Sequence, residues 1–508
     1  MISTNIIRFP AQTSQISMSY EAVVFNGHIV SGSEILPPST YIGINNGVIC
    51  TISSTALQGE LMIDAKGAFV TPGGIDAHVH VEEPKMPYCD TFLNCTKGAL
   101  AGGTTSIIAF AIQNEQDTEE SSSVIEDIAS YKEVAQGNCY CDYGFHLIVR
   151  KPSKALLAKL PQVKEMGVSS IKVYTTYESL RLDDSQLLAI LLENKKLGIT
   201  QMIHAENHDI IKFFNEKLQE KSLLSPYYHG VSRPVEAEDE ASYRVISLSK
   251  IIDIPILIVH MSAKKALDHV RAAQDRLIPI MAETCPQYLF LKAALMKGNC
   301  HHDEFEGAKY VCSPPLRETE EELNGVWESI QNGTVTILSS DHAPSSYDDI
   351  DGKKKGLVEG KPDYKKIPNG LPGVETRVPL MFCYGVEQGK ISPQRFAEIT
   401  ASNPAKLYGL EGKKGTIQVG HDADLVVWHP KGEINFKLKN EMLLHQYDYT
   451  PFEGMEFSNW PKYTLLRGKV VYTYEKNDVL NLPQYGKFLF RKENSLKKAF
   501  SPVNALFT

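Results

Sequence analysis

Six side chains of types that bind metal ions and activate water fall at or near the ends of strand-like runs in this sequence. His78 and His80 stand in Gly74-Ile75-Asp76-Ala77-His78-Val79-His80. In a strand, residues two apart point the same way, so Asp76, His78 and His80 share one face. Two imidazoles about 7 Å apart along a strand can grip one metal ion. The apolar run Ala68-Phe69-Val70 and the turn residues Pro72-Gly73-Gly74 precede them and argue for a strand edge. His204, His260 and Asp341 each end a β-branched run, and Lys172 lies near the end of another, Ser170-Ile171-Lys172-Val173-Tyr174. Taken singly, His204 and His260 read as satisfied core histidines, and Asp341 reads equally well as a helix N-cap. A lysine in an apolar strand must lower its pKa, find a partner or be chemically changed. Its neutral amine can take up carbon dioxide to give an anionic carbamate that bridges two metals. Four imidazoles, one carboxylate and one lysine at one mouth would suit two divalent ions.

Such convergence needs a scaffold that gathers strand ends. The runs are 75–80, 105–110, 143–149, 169–174, 200–204, 254–260, 278–284 and 335–341. Amphipathic helical text separates them, as in Asp184 to Leu197 and Ala263 to Ala273. Eight strand–helix units predict an α/β fold, a (β/α)8 TIM-type barrel with its active site at the C-terminal strand ends. Residues 20–71 read as short strands punctuated by Asn26-Gly27 and Asn46-Gly47, and β text returns over 411–475. The two stretches are expected to form one small β-sandwich beside a barrel spanning 72–410. Residues 1–19 read as a flexible extension and 476–508 as a tail. Ser392 and Pro393 read as the N-cap and first position of a helix. Ser345 to Lys366 reads as a long polar loop at the barrel mouth, with Lys353-Lys354-Lys355 on its solvated face. The basic tail from Arg491 to Lys498 gets the same solvated reading.

Composition narrows the partners. The net charge is −9, with 43% hydrophobic and 22% charged residues, and no basic stripe is present. That argues against nucleic acid or an anionic membrane and for a small-molecule substrate. The nine cysteines are scattered without a CxxC pair, which reads as reduced thiols in a cytoplasmic protein. No run of about 18 apolar residues predicts a membrane span.

Further motifs carry a resemblance over about residues 20–475. They are Thr71-Pro72-Gly73-Gly74-Ile75-Asp76-Ala77-His78-Val79-His80, His204-Ala205-Glu206-Asn207 and Tyr228-His229-Gly230-Val231-Ser232-Arg233-Pro234. Others are Glu283-Thr284-Cys285-Pro286-Gln287-Tyr288, Cys312-Ser313-Pro314-Pro315, Ser340-Asp341-His342, Asn369-Gly370-Leu371-Pro372-Gly373-Val374 and Tyr449-Thr450-Pro451-Phe452-Glu453-Gly454. In these the chain resembles the cyclic amidohydrolases, the family of dihydropyrimidinases and hydantoinases, and in particular the fungal-type dihydropyrimidinases. The resemblance implies two zinc ions per subunit. His78, His80 and Asp341 would hold one, His204 and His260 the other, and N6-carboxylated Lys172 would bridge them. It further implies that Tyr177 stabilises an oxyanion, that Asp341 shuttles a proton, and that Ser313 and Asn369 hold the ring amide edges largely through backbone groups. The implied reaction opens 5,6-dihydrouracil or dihydrothymine to the N-carbamoyl β-amino acid in pyrimidine catabolism, by a homotetramer.

Read as residues alone, Tyr177 could be a core aromatic, and Ser313 and Asn369-Gly370 could be turns. Related dihydroorotases and allantoinases carry Arg or Asn two positions after the second histidine, where this chain has Glu82. An acidic group there counts against a carboxylate-bearing substrate. Hydantoins differ from dihydropyrimidines by one ring atom, so a hydantoinase or another cyclic-ureide hydrolase is the alternative. A non-catalytic assembly protein on the same fold competes, but such relatives have lost metal ligands and this chain keeps all six types.

Overall fold

The computed structural model describes residues 6–7, 19–32, 34–83, 89–298 and 303–496. Eight parallel strands pair in sequence order. They are β1 (Gly74–Val79), β2 (Thr104–Ile112), β3 (Asp142–Ile148), β4 (Ser170–Tyr174), β5 (Thr200–His204), β6 (Ile256–Ile258), β7 (Ile280–Thr284) and β8 (Val335–Leu338). Every residue of β3, β4 and β5 is buried, as expected of a parallel sheet covered on both faces. The ring closes through residues that follow β8. Val79 bridges to His342, His80 N donates to His342 O at 2.7 Å, and Ser340 N donates to the Asp76 carboxylate at 3.0 Å. Thus Asp76, beside the two histidines in sequence, serves closure. It also faces the buried Arg377, Nε to Oδ2 3.3 Å.

The expected helix Asp184–Leu197 forms with those bounds, with an Asp183/Gln186 capping box and Gly198 in the left-handed region at its end. Several strands are shorter than their runs, and β6 and β8 most of all, ending at Ile258 and Leu338. The last residues of those two runs, His260 and Asp341, have φ of +39° and +51° and lie outside extended geometry. Ser392 caps as expected, its Oγ accepting from Arg395 N. The helix it starts is interrupted: Pro393–Ala397 passes through a π-helical turn (Glu398–Ser402) into Asn403–Leu407. Pro404 has no N–H for the regular ladder, a sufficient cause of the irregular turn.

The sandwich is built from both ends of the chain. One sheet orders Ile6–Ile7, Gly59–Asp64, Tyr20–Phe25, Tyr41–Asn45 and Val48–Ser53. The facing sheet places Leu425–Trp428 between Phe69–Pro72 and Pro461–Leu466. Val24, Ile29, Ile42, Ile44, Val70, Leu425, Val427 and Leu465 fill the core between them. Asn46 and Gly47 both have positive φ, the hairpin turn that Asn-Gly favours. Lys414, fully buried, ties this unit to the barrel base. Its ammonium meets Asp142 at the start of β3 at 2.8 Å, and Asp422 and Asp424 at 3.0 and 2.6 Å.

Two expectations of solvated charge fail. Arg491 is 1% exposed, its guanidinium donating to Phe145 O as the tail runs along the barrel base. Lys353 is 0% exposed. Lys353 lies in a polar stretch, and Arg491 follows Phe488-Leu489-Phe490 and precedes Lys492-Glu493; in each case tertiary packing buries the long side chain. Of the expected N-terminal extension, only Ile6–Ile7 and Ser19 lie within the described residues, and the strand pairs with Met62–Ile63. The eight described cysteines form no disulfide. No helix among the described residues is long and apolar enough to cross a membrane.

Candidate active site

Five of the six candidate ligands sit at or just beyond a strand end on the same rim of the barrel, and Lys172 reaches them from the middle of β4. His78 and His80 come from the end of β1, Lys172 from β4, His204 from β5, His260 from beyond β6 and Asp341 from beyond β8. The structure brings all six together. Lys172 Nζ is 2.6 Å from His78 Nε2, and Asp341 Oδ1 is 3.2 Å from His78 Nε2 and 3.6 Å from His80 Nε2. The His204 and His260 rings are 4.4 Å apart, and His260 lies 5.3 Å from His78.

Which ring nitrogens are committed separates the candidate ligands from the structural histidines. His78 Nδ1 meets Glu283 Oε1 at 2.6 Å, and His80 Nδ1 meets Glu83. His204 Nε2 meets Glu206 Oε2 at 2.7 Å. Each carboxylate fixes one nitrogen and leaves the other as a donor, the usual support of a metal-binding imidazole. His260 Nδ1 is buried without any partner. By contrast, His146 spends both nitrogens on Ser170 Oγ and Ala77 O. His342 spends one on Asp90 and the other on the N–H groups of Gly373 and Val374. Burial holds His78, His204 and His260 below the usual imidazole range, so they stay neutral and able to ligate. Burial likewise pulls the Lys172 ammonium down. Imidazoles, a carboxylate, a buried amine and an orphaned ring nitrogen form a donor set that fits divalent metal.

Beside this centre lies a short polar chain. Asn369 Nδ2 donates to Ser313 Oγ at 3.0 Å and reaches the Tyr177 hydroxyl at 3.5 Å. Tyr177, at φ +66°, follows β4 and its ring is 5.4 Å from that of His204. Burial raises its pKa, so the hydroxyl remains a donor at neutral pH. Gly370 has φ +130°, and a Cβ there would come within 2.2 Å of Ala343 O, so this turn requires glycine. Tyr177, His260 and Asp341 all combine positive φ with a position at the rim, where backbone strain concentrates in functional sites. Glu82 faces a separate cavity of about 200 Å³ with Gln113, Tyr131 and Arg150, lined by none of the six ligands.

Sequence reasoning passed over the carboxylates behind the ligands. Glu283 binds His78, accepts from Ser339 Oγ at 2.9 Å and from His260 N at 3.0 Å. Glu206 also accepts from Arg233 at 2.6 Å, and Arg233 stacks over the Tyr177 ring at 5.2 Å. Burial alone would raise Glu206, but the Arg233 guanidinium holds it at about 2. Both glutamates lay in quoted motifs, and their signal was an acidic residue at the end of an apolar strand. Glu206→Ala is expected to weaken metal retention about 10–100-fold, since it frees His204 and strands Arg233. Competition against a chelator measures this, and unchanged retention would reduce Glu206 to a packing role.

Comparison with known proteins places this geometry. The amidohydrolase family model matches residues 69–471. A D-hydantoinase of Rhizobium radiobacter is 36% identical over 476 residues, 93% of this chain and 99% of that protein. A crystal structure of a D-hydantoinase superposes with TM-score 0.86 at 35% identity, covering 93% of this chain and 99% of that one. The dihydropyrimidinase of Brevibacillus agri superposes equally, TM-score 0.86 at 34% identity, with the same coverage of both chains. With its barrel, its strand-end histidines and these relatives, the chain belongs to the amidohydrolase family as a cyclic amidohydrolase of the hydantoinase and dihydropyrimidinase type.

Proposed function

We propose that the protein hydrolyses 5,6-dihydrouracil and dihydrothymine at the ring amide, giving N-carbamoyl-β-alanine and N-carbamoyl-β-aminoisobutyrate. The observation that carries this reading is the adjacency of two arrays: the six metal-ligand types, and the Tyr177–Asn369–Ser313 chain beside them. His78, His80 and Asp341 would hold one zinc ion, His204 and His260 the other, with carboxylated Lys172 between them. When bound, such a pair supplies a water that ionises near neutral pH and a Lewis acid for the carbonyl. Asp341 takes the proton from the attacking water and returns it to the leaving ring nitrogen, so the C–N bond breaks without releasing an amide anion. Tyr177 donates to the oxygen as it gains charge. Ser313 and Asn369 hold the flat amide edge, fixing which carbonyl faces the attack.

Dihydrouracil loses ultraviolet absorbance as its ring opens. Turnover by the purified protein with about two zinc ions per chain is the expected result. Chelation should abolish it and zinc should restore it. Full zinc without dihydrouracil turnover would sink the substrate assignment. A second reading, hydrolysis of five-membered hydantoins, is favoured by the D-hydantoinase relatives. The ratio of kcat/KM for dihydrouracil to that for hydantoin decides between them.

A further inference from the structure

Lys353 is fully buried in the loop that follows β8, and no carboxylate pairs with it among the described residues. Its ammonium donates instead to three backbone carbonyls: Val311 at 3.1 Å, Pro368 at 2.7 Å and Gly370 at 2.8 Å. An ammonium carries three N–H donors and no acceptor, so donors and acceptors match one for one. A buried cation without a counter-charge is costly, and backbone carbonyls offset that only while they stay in place. Burial pulls Lys353 down to about 7.

The three carbonyls belong to two segments far apart in sequence. One segment leads through Cys312 to Ser313, and the other flanks Asn369 on both sides. The segments also meet directly, with Gly370 N donating to Val311 O at 3.0 Å and Asn369 Nδ2 to Ser313 Oγ at 3.0 Å. Lys353 therefore sits behind the edge formed by Ser313 and Asn369. Holding the loop down does not require it. Tyr347 N and Asp348 N both donate to the Asp448 carboxylate at 2.7 Å, which tethers the loop independently.

We propose that Lys353 is a positioning residue for substrate: its ammonium locks segments 311–313 and 368–370 in register, so that Ser313 and Asn369 present one amide-reading edge coupled to the loop after β8. The inference rests on the proposed reading of Ser313 and Asn369 as substrate contacts. Removing the ammonium leaves the metal ligands untouched, so the defect falls on binding rather than on the chemical step.

The test compares wild type with Lys353→Met, Lys353→Arg, Gly370→Ala and Asp448→Ala, measuring kcat and KM for dihydrouracil and zinc content. Lys353→Met should raise KM about tenfold or more while kcat changes little and zinc is retained. Lys353→Arg should raise KM less, because a planar guanidinium keeps the charge but cannot match three converging carbonyls. Asp448→Ala should leave KM near wild type. A wild-type KM in folded Lys353→Met overturns the inference. If that variant does not fold, a wild-type KM in folded Lys353→Arg overturns it. An equal rise of KM in Asp448→Ala also overturns it, since loop tethering alone would then explain the effect. Gly370→Ala separates the two ideas, because its Cβ would come within 2.2 Å of Ala343 O and so displaces the backbone of the edge itself. If its KM stays unchanged, the substrate-edge reading has failed; if its KM rises while the Lys353 variants stay normal, only the role of Lys353 has failed.

Discussion

Lys172→Ala is expected to abolish turnover, by on the order of 10⁴-fold or more, while far-ultraviolet circular dichroism stays close to wild type. Lys172 Nζ lies 2.6 Å from His78 Nε2, and its side chain is 1% exposed on a strand whose neighbours are all buried. As an amine it brings no negative charge to a centre whose only carboxylate among the six ligands is Asp341. As a carbamate it would bring one, placed between the His78/His80/Asp341 side and the His204/His260 side. Truncation should therefore cost zinc as well as rate. The fold should survive, because β4 keeps its ladders to β3 and β5, and the variant no longer buries a polar amine. Acetate offers the decisive control. It can occupy the vacated space and present the missing carboxylate, so partial recovery of zinc and turnover with acetate is expected. Recovery with ethylamine instead would assign the function to the amine and refute the carbamate bridge. Full zinc and full turnover in the unsupplemented variant would remove Lys172 from the centre altogether.

The barrel was legible because each of its strands is short, apolar and separated by helical text. β6 and β8 end at Ile258 and Leu338, two and three residues short of His260 and Asp341, which carry positive φ, a conformation that their types permit but do not announce. Lys353 looks like a surface cation because its sequence neighbours are polar, and Arg491 because it opens the charged stretch that continues in Lys492 and Glu493. Their burial depends on carbonyls of Val311, Pro368 and Gly370, and of Phe145, which only the assembled fold supplies. The His78–Glu283 contact spans 205 positions and is invisible to any local pattern. Resemblance could nominate the six ligands by motif position. Which ring nitrogen each histidine offers required the structure, because Glu283, Glu83 and Glu206 decide it from behind.

Tyr177→Phe should lower kcat about 100-fold, an oxyanion donor being worth ~3 kcal/mol, and move KM far less. The substitution removes one oxygen and keeps the ring, so the stacking of Arg233 at 5.2 Å and the contact with His204 at 5.4 Å persist. Asn369 still reaches Ser313 at 3.0 Å, which leaves the amide edge in place. What disappears is the donor needed when the carbonyl oxygen gains charge, and that loss falls on the transition state more than on the bound substrate. The two polar neighbours thus predict opposite signatures: Tyr177→Phe acts on kcat, whereas disturbing the Ser313–Asn369 edge acts on KM. A rise confined to KM in Tyr177→Phe would place its hydroxyl in ground-state binding alongside Asn369. An unchanged kcat and KM would return Tyr177 to a packing role against His204.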